Sequence, residues 1–264
     1  MFEKTLNERN SIKNKAEATN YNGNSGKTPL RRIANRFQHN NSMDTIFRTF
    51  LVIHIIAGTI GLLSGTINII RKKGDKKHKL AGKFFLYGML TVGLSAFVLS
   101  LMHTNYFLFI VGVFTFYMAA TGDRYLSLRE LRTTQKPKLI DWILTISMLL
   151  FGVAFIGFGI YHLINGENFG IVFIVFGFIG LRMVSKDIQN YKGKTEIVNY
   201  WLVAHLQRMI GAYIAALTAF LVVNGKYFDG LIPNYLLWLL PTLILLPLII
   251  KWTKKYLVTK ENNA

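Results

Sequence analysis

Seven stretches of this chain are each apolar over roughly the length needed to cross a hydrocarbon core about 30 Å thick, and no other feature constrains its fold as tightly. They run from about Ile46 to Ile70, Leu80 to Met102, Tyr106 to Ala120, Trp142 to Ile164, Ile171 to Met183, Ile197 to Val223 and Tyr235 to Trp252. In lipid the backbone must satisfy its own hydrogen bonds, which leaves helices or closed barrels. Glycine and aromatic residues are frequent inside the stretches and proline is scarce, so helices carry the crossing. The expected fold class is therefore all-α, a polytopic transmembrane bundle of about seven spans. The third and fifth spans are short on apolar residues alone and should extend into their flanks.

Charge sets the expected topology. Lys and Arg number 31 against 13 acids, a net charge of +18. In a soluble chain that would suggest nucleic acid; here the charge lies in loops, so nucleic acid is not an expected partner and the lipid bilayer is. Nineteen basic residues fall on one side: Arg71 to Lys79, Arg124 to Lys138, Arg182 to Lys194, and the tail from Lys251 to Lys260. The opposing loops hold Lys226 alone. The positive-inside rule then places the amino terminus outside and the carboxyl terminus in the cytoplasm of a bacterial inner membrane. The expected organisation is a disordered basic tail over 1–45, a seven-helix membrane domain over 46–255 and a short cytoplasmic tail over 256–264. No signal-peptide core precedes the first span. The tail resists that topology, since Lys4, Arg9, Lys13, Lys15, Lys27, Arg31, Arg32 and Arg36 all lie in it. Two readings stand: translation begins at Met43, or a disordered tail, rich in Asn, Gly and Ser around Ala16–Lys27, crosses regardless.

Polar residues inside spans are costly, so their placement marks candidate sites. In span one His54, Gly58, Gly61, Gly65 and Asn68 share an arc of roughly 80° at about 100° per residue. Span two aligns His78, Gly82, Met89, Gly93, Ala96, Ser100 and His103; span six aligns His205 and Arg208 with Ala212, Ala215, Ala216 and Ala219. These stripes face other helices. The glycines permit close helix packing and are expected to give access to a polar seam among spans one, two and six. His78, His103 and His162 fall at membrane edges, where an interfacial role is the plain alternative. Arg208 needs an anionic partner, with Asp123, Asp141 and Asp187 as candidates.

Three segments, His54-Ile-Ile-Ala-Gly58, His78-Lys-Leu-Ala-Gly82-Lys-Phe-Phe and Ala204-His205-Leu-Gln-Arg-Met209, resemble the pattern of an uncharacterised bacterial family of predicted polytopic membrane proteins. Asp141-Trp142, Phe176-Gly177-Phe-Ile-Gly180-Leu and Thr218-Ala-Phe-Leu-Val-Val-Asn224 add to the likeness, which covers about residues 46–255. The resemblance implies a helical bundle and supports His54, His78 and His205 as site residues; it implies no reaction.

Two function classes lead. The first is a b-type haem or quinone-linked redox protein, with His54 paired to His103 or His162, His78 paired to His205, and Arg208 neutralising propionates. The spans lack two histidines at the spacing stacked haems usually use. The second is a transporter or channel for a small solute or proton, using His54, His205 and Arg208. His54 and His205 are also candidate metal ligands, and His54, His103 and His162 a zinc set. With no cysteine, thiolate metal sites and disulfides are excluded. Asp123-Arg124-Tyr125 resembles a G-protein-coupled-receptor signature, but span seven lacks the Asn-Pro element. Span seven also has no buried Lys for a retinal Schiff base. Hydrolase motifs are missing, and no span contains Glu. A membrane-embedded enzyme, as a component of a membrane oxidoreductase, or a packing and assembly factor is the remaining reading.

Overall fold

The computed structural model describes residues 29–131, 133–228 and 233–258. Every long element among them is a helix: α1 (Pro29–Ile70), α2 (Lys76–Met102), α3 (Tyr106–Tyr125), α4 (Leu139–Ile164), α5 (Gly170–Tyr191), α6 (Tyr200–Val223) and α7 (Asn234–Tyr256). The chain divides into two units, residues 1–50 and 51–264. In the first, the described part is helical from Pro29 onward. The expected disordered segment Ala16–Lys27 lies outside the described residues, as does the end of the carboxyl tail.

Six helices are long and apolar enough to cross a membrane: the Met43–Ile70 part of α1, α2, α3, α4, α6 and the Leu236–Tyr256 part of α7. The third span extends to Tyr125 and the fifth to Tyr191, as their short apolar cores require. α5 falls outside the apolar six because Arg182, Lys186 and Asp187 occupy its second half. It nevertheless runs antiparallel to α4 from the Asp141–Tyr191 level to the Gly159–Gly170 level. Those 18 residues of α4 rise about 27 Å, so α5 reaches the depth of its apolar partner.

Local sequence explains the helix starts. Asp75 caps α2 by accepting from the His78 amide at 2.6 Å, and Asn105 caps α3 through Leu108 at 3.0 Å. At α4 the Asp141 carboxylate reaches back to the Lys138 amide at 2.8 Å. Gly74, at φ +85°, provides the left-handed residue that lets α1 turn into α2 within five residues.

Glycine sets the helix spacing. A Cβ on Gly159 would lie 2.7 Å from the Gly170 carbonyl oxygen, and one on Gly177 2.9 Å from that of Gly152, so α4 and α5 touch backbone to backbone. Gly93 and Gly112 do the same for α2 and α3. α3 lies in the middle: it packs on α2, α6, α4 and α5, and Ile110, Phe114, Thr115 and Ala119 are buried. α7 packs on α6, while Ile56, Leu63, Leu150, Val153, Leu243 and Ile244 point outward, as a lipid-facing surface demands. Within residues 51–264 the up-and-down order gathers the turns after α1, α3 and α5 and the end of α7 at one pole. All the basic loops therefore share that pole, called here the basic end.

Candidate functional site

Two polar clusters occupy the basic half of the bundle. The first centres on Asp187 of α5, which is 0% exposed. Its carboxylate accepts from the hydroxyls of Tyr117 and Tyr125, both at 2.5 Å, and is paired with the Arg208 guanidinium. Arg208 also donates to the Thr121 hydroxyl and stacks between the faces of Tyr117 and Tyr125, 5.0 and 5.1 Å from their centroids. Asn190 donates to Tyr125 at 3.0 Å. Gly122 makes room for this side chain, since a Cβ there would lie 3.1 Å from Arg208 Cβ. A second pair joins α3 to α4, with Arg124 forking onto both oxygens of buried Asp141 at 2.8 and 3.0 Å. Of the three acids expected for Arg208, Asp187 is the partner. With its guanidinium closed on Asp187 and Thr121, Arg208 has no free face for a propionate or substrate.

The second cluster is the histidine seam of α1, α2 and α6. His205 Nδ1 lies 2.8 Å from the Gly122 carbonyl oxygen. A carbonyl only accepts, so Nδ1 carries the proton and Nε2 of the neutral ring holds a lone pair. That lone pair has no hydrogen-bond partner among the described residues. His78 is arranged the other way. With the Asn68 amide oriented so that its oxygen accepts from the Gly82 amide at 2.9 Å, its nitrogen donates to His78 Nδ1 at 3.2 Å. His78 therefore presents Nε2–H. It lies within electrostatic range of both His205 and Lys73. Lys73 closes α1 by donating to the Asn68, Ile69 and Arg71 carbonyls at 2.5, 2.8 and 3.3 Å, and its ammonium rests 4.1 Å from the Trp252 ring centroid. Burial there lowers the Lys73 pKa from the ordinary lysine value.

The other expected residues are placed apart. His54 Nδ1 meets Ser95 Oγ at 2.9 Å. Ser95 Oγ also lies 2.7 and 3.1 Å from the Thr91 and Val92 carbonyl oxygens, within reach of its hydroxyl. Ser95 is 17 residues along α2 from His78, a rise of about 25 Å, so His54 and His205 do not converge on one metal ion. His103 caps the far end of α2 and is exposed. His162 is 7% exposed, 2.5 Å from Glu167 Oε2, and stacks on Phe173 at 5.5 Å and 9°. It faces α3 and α5, away from the α1–α2 contact that holds His54. Among the described residues no three His or acidic side chains converge as a metal-ligating group.

The glycine stripe of α1 does not open the seam. The space beside Gly61 is filled by Met89, and that beside Gly65 by Tyr213 and Phe85. The expectation of access gives way to packing, because small residues in lipid gain most by letting neighbours approach. Sequence reading missed Ser95, Tyr117, Thr121 and Tyr125. The last three are spaced i, i+4 and i+8 on α3, a polar stripe legible by the same rule that found span one.

No protein-family model, curated protein or solved structure matches this chain.

Proposed function

We propose that the chain is a membrane transporter that takes up a proton at His205, carrying the proton itself or a small solute with it. The supporting observation is the Nδ1–H bond from His205 to the Gly122 carbonyl, which leaves Nε2 as the basic atom of the neutral ring, within electrostatic range of His78. The neighbouring charges of Arg208 and Asp187 neutralise each other and leave that proton site undisturbed. The nineteen-to-one loop charge favours a basic end in the cytoplasm of a bacterial plasma membrane, with the amino terminus outside.

Proteoliposomes adsorbed on a solid-supported membrane test this. A pH jump should displace charge in the protein and titrate as one group, and His205→Gln should abolish the transient. A transient unchanged by His205→Gln, or none above protein-free vesicles, overturns the reading.

The same imidazole supports a second reading. A histidine whose Nδ1–H is tied to a carbonyl is arranged as a ligand, so b-type haem on His205 and His78 remains a candidate. Filling of the Gly61 and Gly65 spaces argues against room for a macrocycle along α1, and His78 presents N–H where a ligand needs a lone pair. A reduced-minus-oxidised spectrum of protein from haem-replete cells decides it. A bis-imidazole band lost in His205→Ala supports haem; a featureless spectrum removes it.

A further inference from the structure

The outer face of α5 carries cations that the bundle leaves unanswered. Phe178, Arg182, Ser185, Lys186 and Gln189 share an arc of roughly 100° on the helix. Gly177, Gly180, Val184 and Asp187 fall on the opposite side, against α4 and α3. Arg182, Ser185 and Lys186 are exposed. Lys186 Nζ donates to Gln189 Oε1 and Gln189 Nε2 donates to Ser185 Oγ, both at 3.3 Å, so the Ser185 hydroxyl proton is still to be placed. Among the described residues Arg182, Lys186, Lys192 and Lys194 form no ion pair. Asp187 points inward and is closed on Arg208, and exposed Glu196 lies past Lys194 in the turn to α6.

Depth separates Arg182 from an ordinary loop cation. Trp142 meets Tyr191 edge-on at 5.3 Å, an aromatic pair of the kind found at a membrane interface. Arg182 is nine residues along α5 from Tyr191, a rise of about 13.5 Å, which carries its backbone well inside the hydrocarbon. An exposed arginine at that depth needs an anion, and its long stem lets the guanidinium lean toward the phosphate layer. The surface beside it is hollow. One groove of about 380 Å³ is lined by Phe178, Ile179, Leu181, Arg182 and Ser185. A second, of about 390 Å³, shares Leu181 and Ser185 with the first and runs between α4 and α5 to Lys192 and Lys194, over an apolar floor of Leu149, Val184 and Ile188. Together they make one furrow, apolar in its floor and cationic toward the basic end, a shape that suits an acyl chain joined to a phosphate.

We propose that this furrow holds one anionic phospholipid of the bilayer, with its phosphate on Arg182, Lys186 and the Ser185 hydroxyl and an acyl chain along Leu149, Leu181 and Phe178. Arg182, Ser185 and Lys186 are neighbours at i, i+3 and i+4, close enough to share one phosphate, and a guanidinium fork matches two phosphate oxygens. Cations without a carboxylate on their face favour a head group of net negative charge over a zwitterionic one, whose amine they repel. A free anion would leave the apolar floor uncovered. A second copy of the chain, meeting this face symmetrically, would set the same cations against themselves. The site shares no residue with the histidine seam and does not depend on what the protein transports.

The test is native mass spectrometry of the full chain, delipidated in mild detergent and titrated with phosphatidylglycerol or with phosphatidylcholine of the same acyl chains. Expected is one phosphatidylglycerol retained per chain at concentrations where phosphatidylcholine is not. Arg182→Gln and Lys186→Gln should each weaken that binding about fivefold, the worth of one Lys or Arg at an anionic lipid surface. Both side chains are exposed, and an unchanged melting temperature without lipid checks that the variants fold. Lys251→Gln, an exposed cation at the same end on α7, should bind as the unmodified protein does. The proposal falls if the two lipids bind alike or if both α5 variants bind phosphatidylglycerol as before. It falls if Lys251→Gln weakens binding as much, since the lipid then answers the diffuse charge of the basic end. It also falls if inorganic phosphate, and no lipid, takes the Arg182-dependent site, or if the chain is a dimer that Arg182→Gln dissociates, since a free anion or a second copy then fills the furrow. None of these results alters the pH-jump transient, which stands or falls with His205.

Discussion

The Asp187 cluster and the histidine seam lie at the same end of one bundle, yet they close their polar atoms differently. Asp187 gathers two tyrosine hydroxyls and a guanidinium, and Arg208 adds Thr121 and two aromatic faces. Charge, donors and acceptors balance, and the cluster ties α3, α5 and α6 together. The seam holds a guanidinium Nε at Arg71 that is buried without a partner, and His205 Nε2, which has no partner among the described residues. Buried polar groups are normally paired, so a closed network reads as architecture and an open one as a place for something to bind.

The contrast can be broken hardest at Asp187. Asp187→Ala leaves the Arg208 charge buried and alone, which should cost about 3–5 kcal/mol. Thermal unfolding in detergent measures it, and replacing both partners by apolar residues should recover much of the loss. A double variant no more stable than Asp187→Ala would contradict the account of a self-contained pair. Next in size is Gly159→Val, which forces α4 from α5 at a cost of about 1–3 kcal/mol, read as a lowered melting temperature with the His205 proton response retained. Ser95→Ala removes the hydroxyl bonded to His54 and should cost about 1 kcal/mol without changing that response; loss of the response would move the site to the opposite half.

The smallest effect is expected at the α1–α2 turn. The His78 amide, then the Arg71 guanidinium, hold the Asp75 carboxyl below the ordinary carboxylate range. A folded pKa below the unfolded one stabilises above the unfolded value and loses that contribution as pH falls through the folded one. Amide exchange in the first turn of α2 should therefore stay slow down to mildly acidic pH and accelerate below the carboxylate range. Asp75→Ala should make it fast at every pH.

The helices were legible because apolar length is a local property: each span could be read within a couple of turns of its final bounds. α5 shows the limit. Its charged second half weakens the hydropathy signal, and only packing along α4 reveals its depth. Within the site, His205, His78 and Arg208 stood out as polar residues on helix faces, but their roles depended on contacts far away in sequence. Asp187 answers Arg208 from another helix, Gly122 sets the His205 tautomer, and Asn68 sets that of His78. A stripe of glycines reads alike whether it admits a ligand or a neighbour, and here Met89, Phe85 and Tyr213 fill the space.

Nitrogen-15 NMR of histidine-labelled protein in bilayers, assigned by single His→Gln variants, tests the central claim most directly. The account predicts Nδ1–H for His205 in its neutral form, Nε2–H for His78, and protonation of His205 Nε2 as pH is lowered. A neutral His205 with its proton on Nε2, or a ring that does not titrate while the protein remains folded, would contradict it.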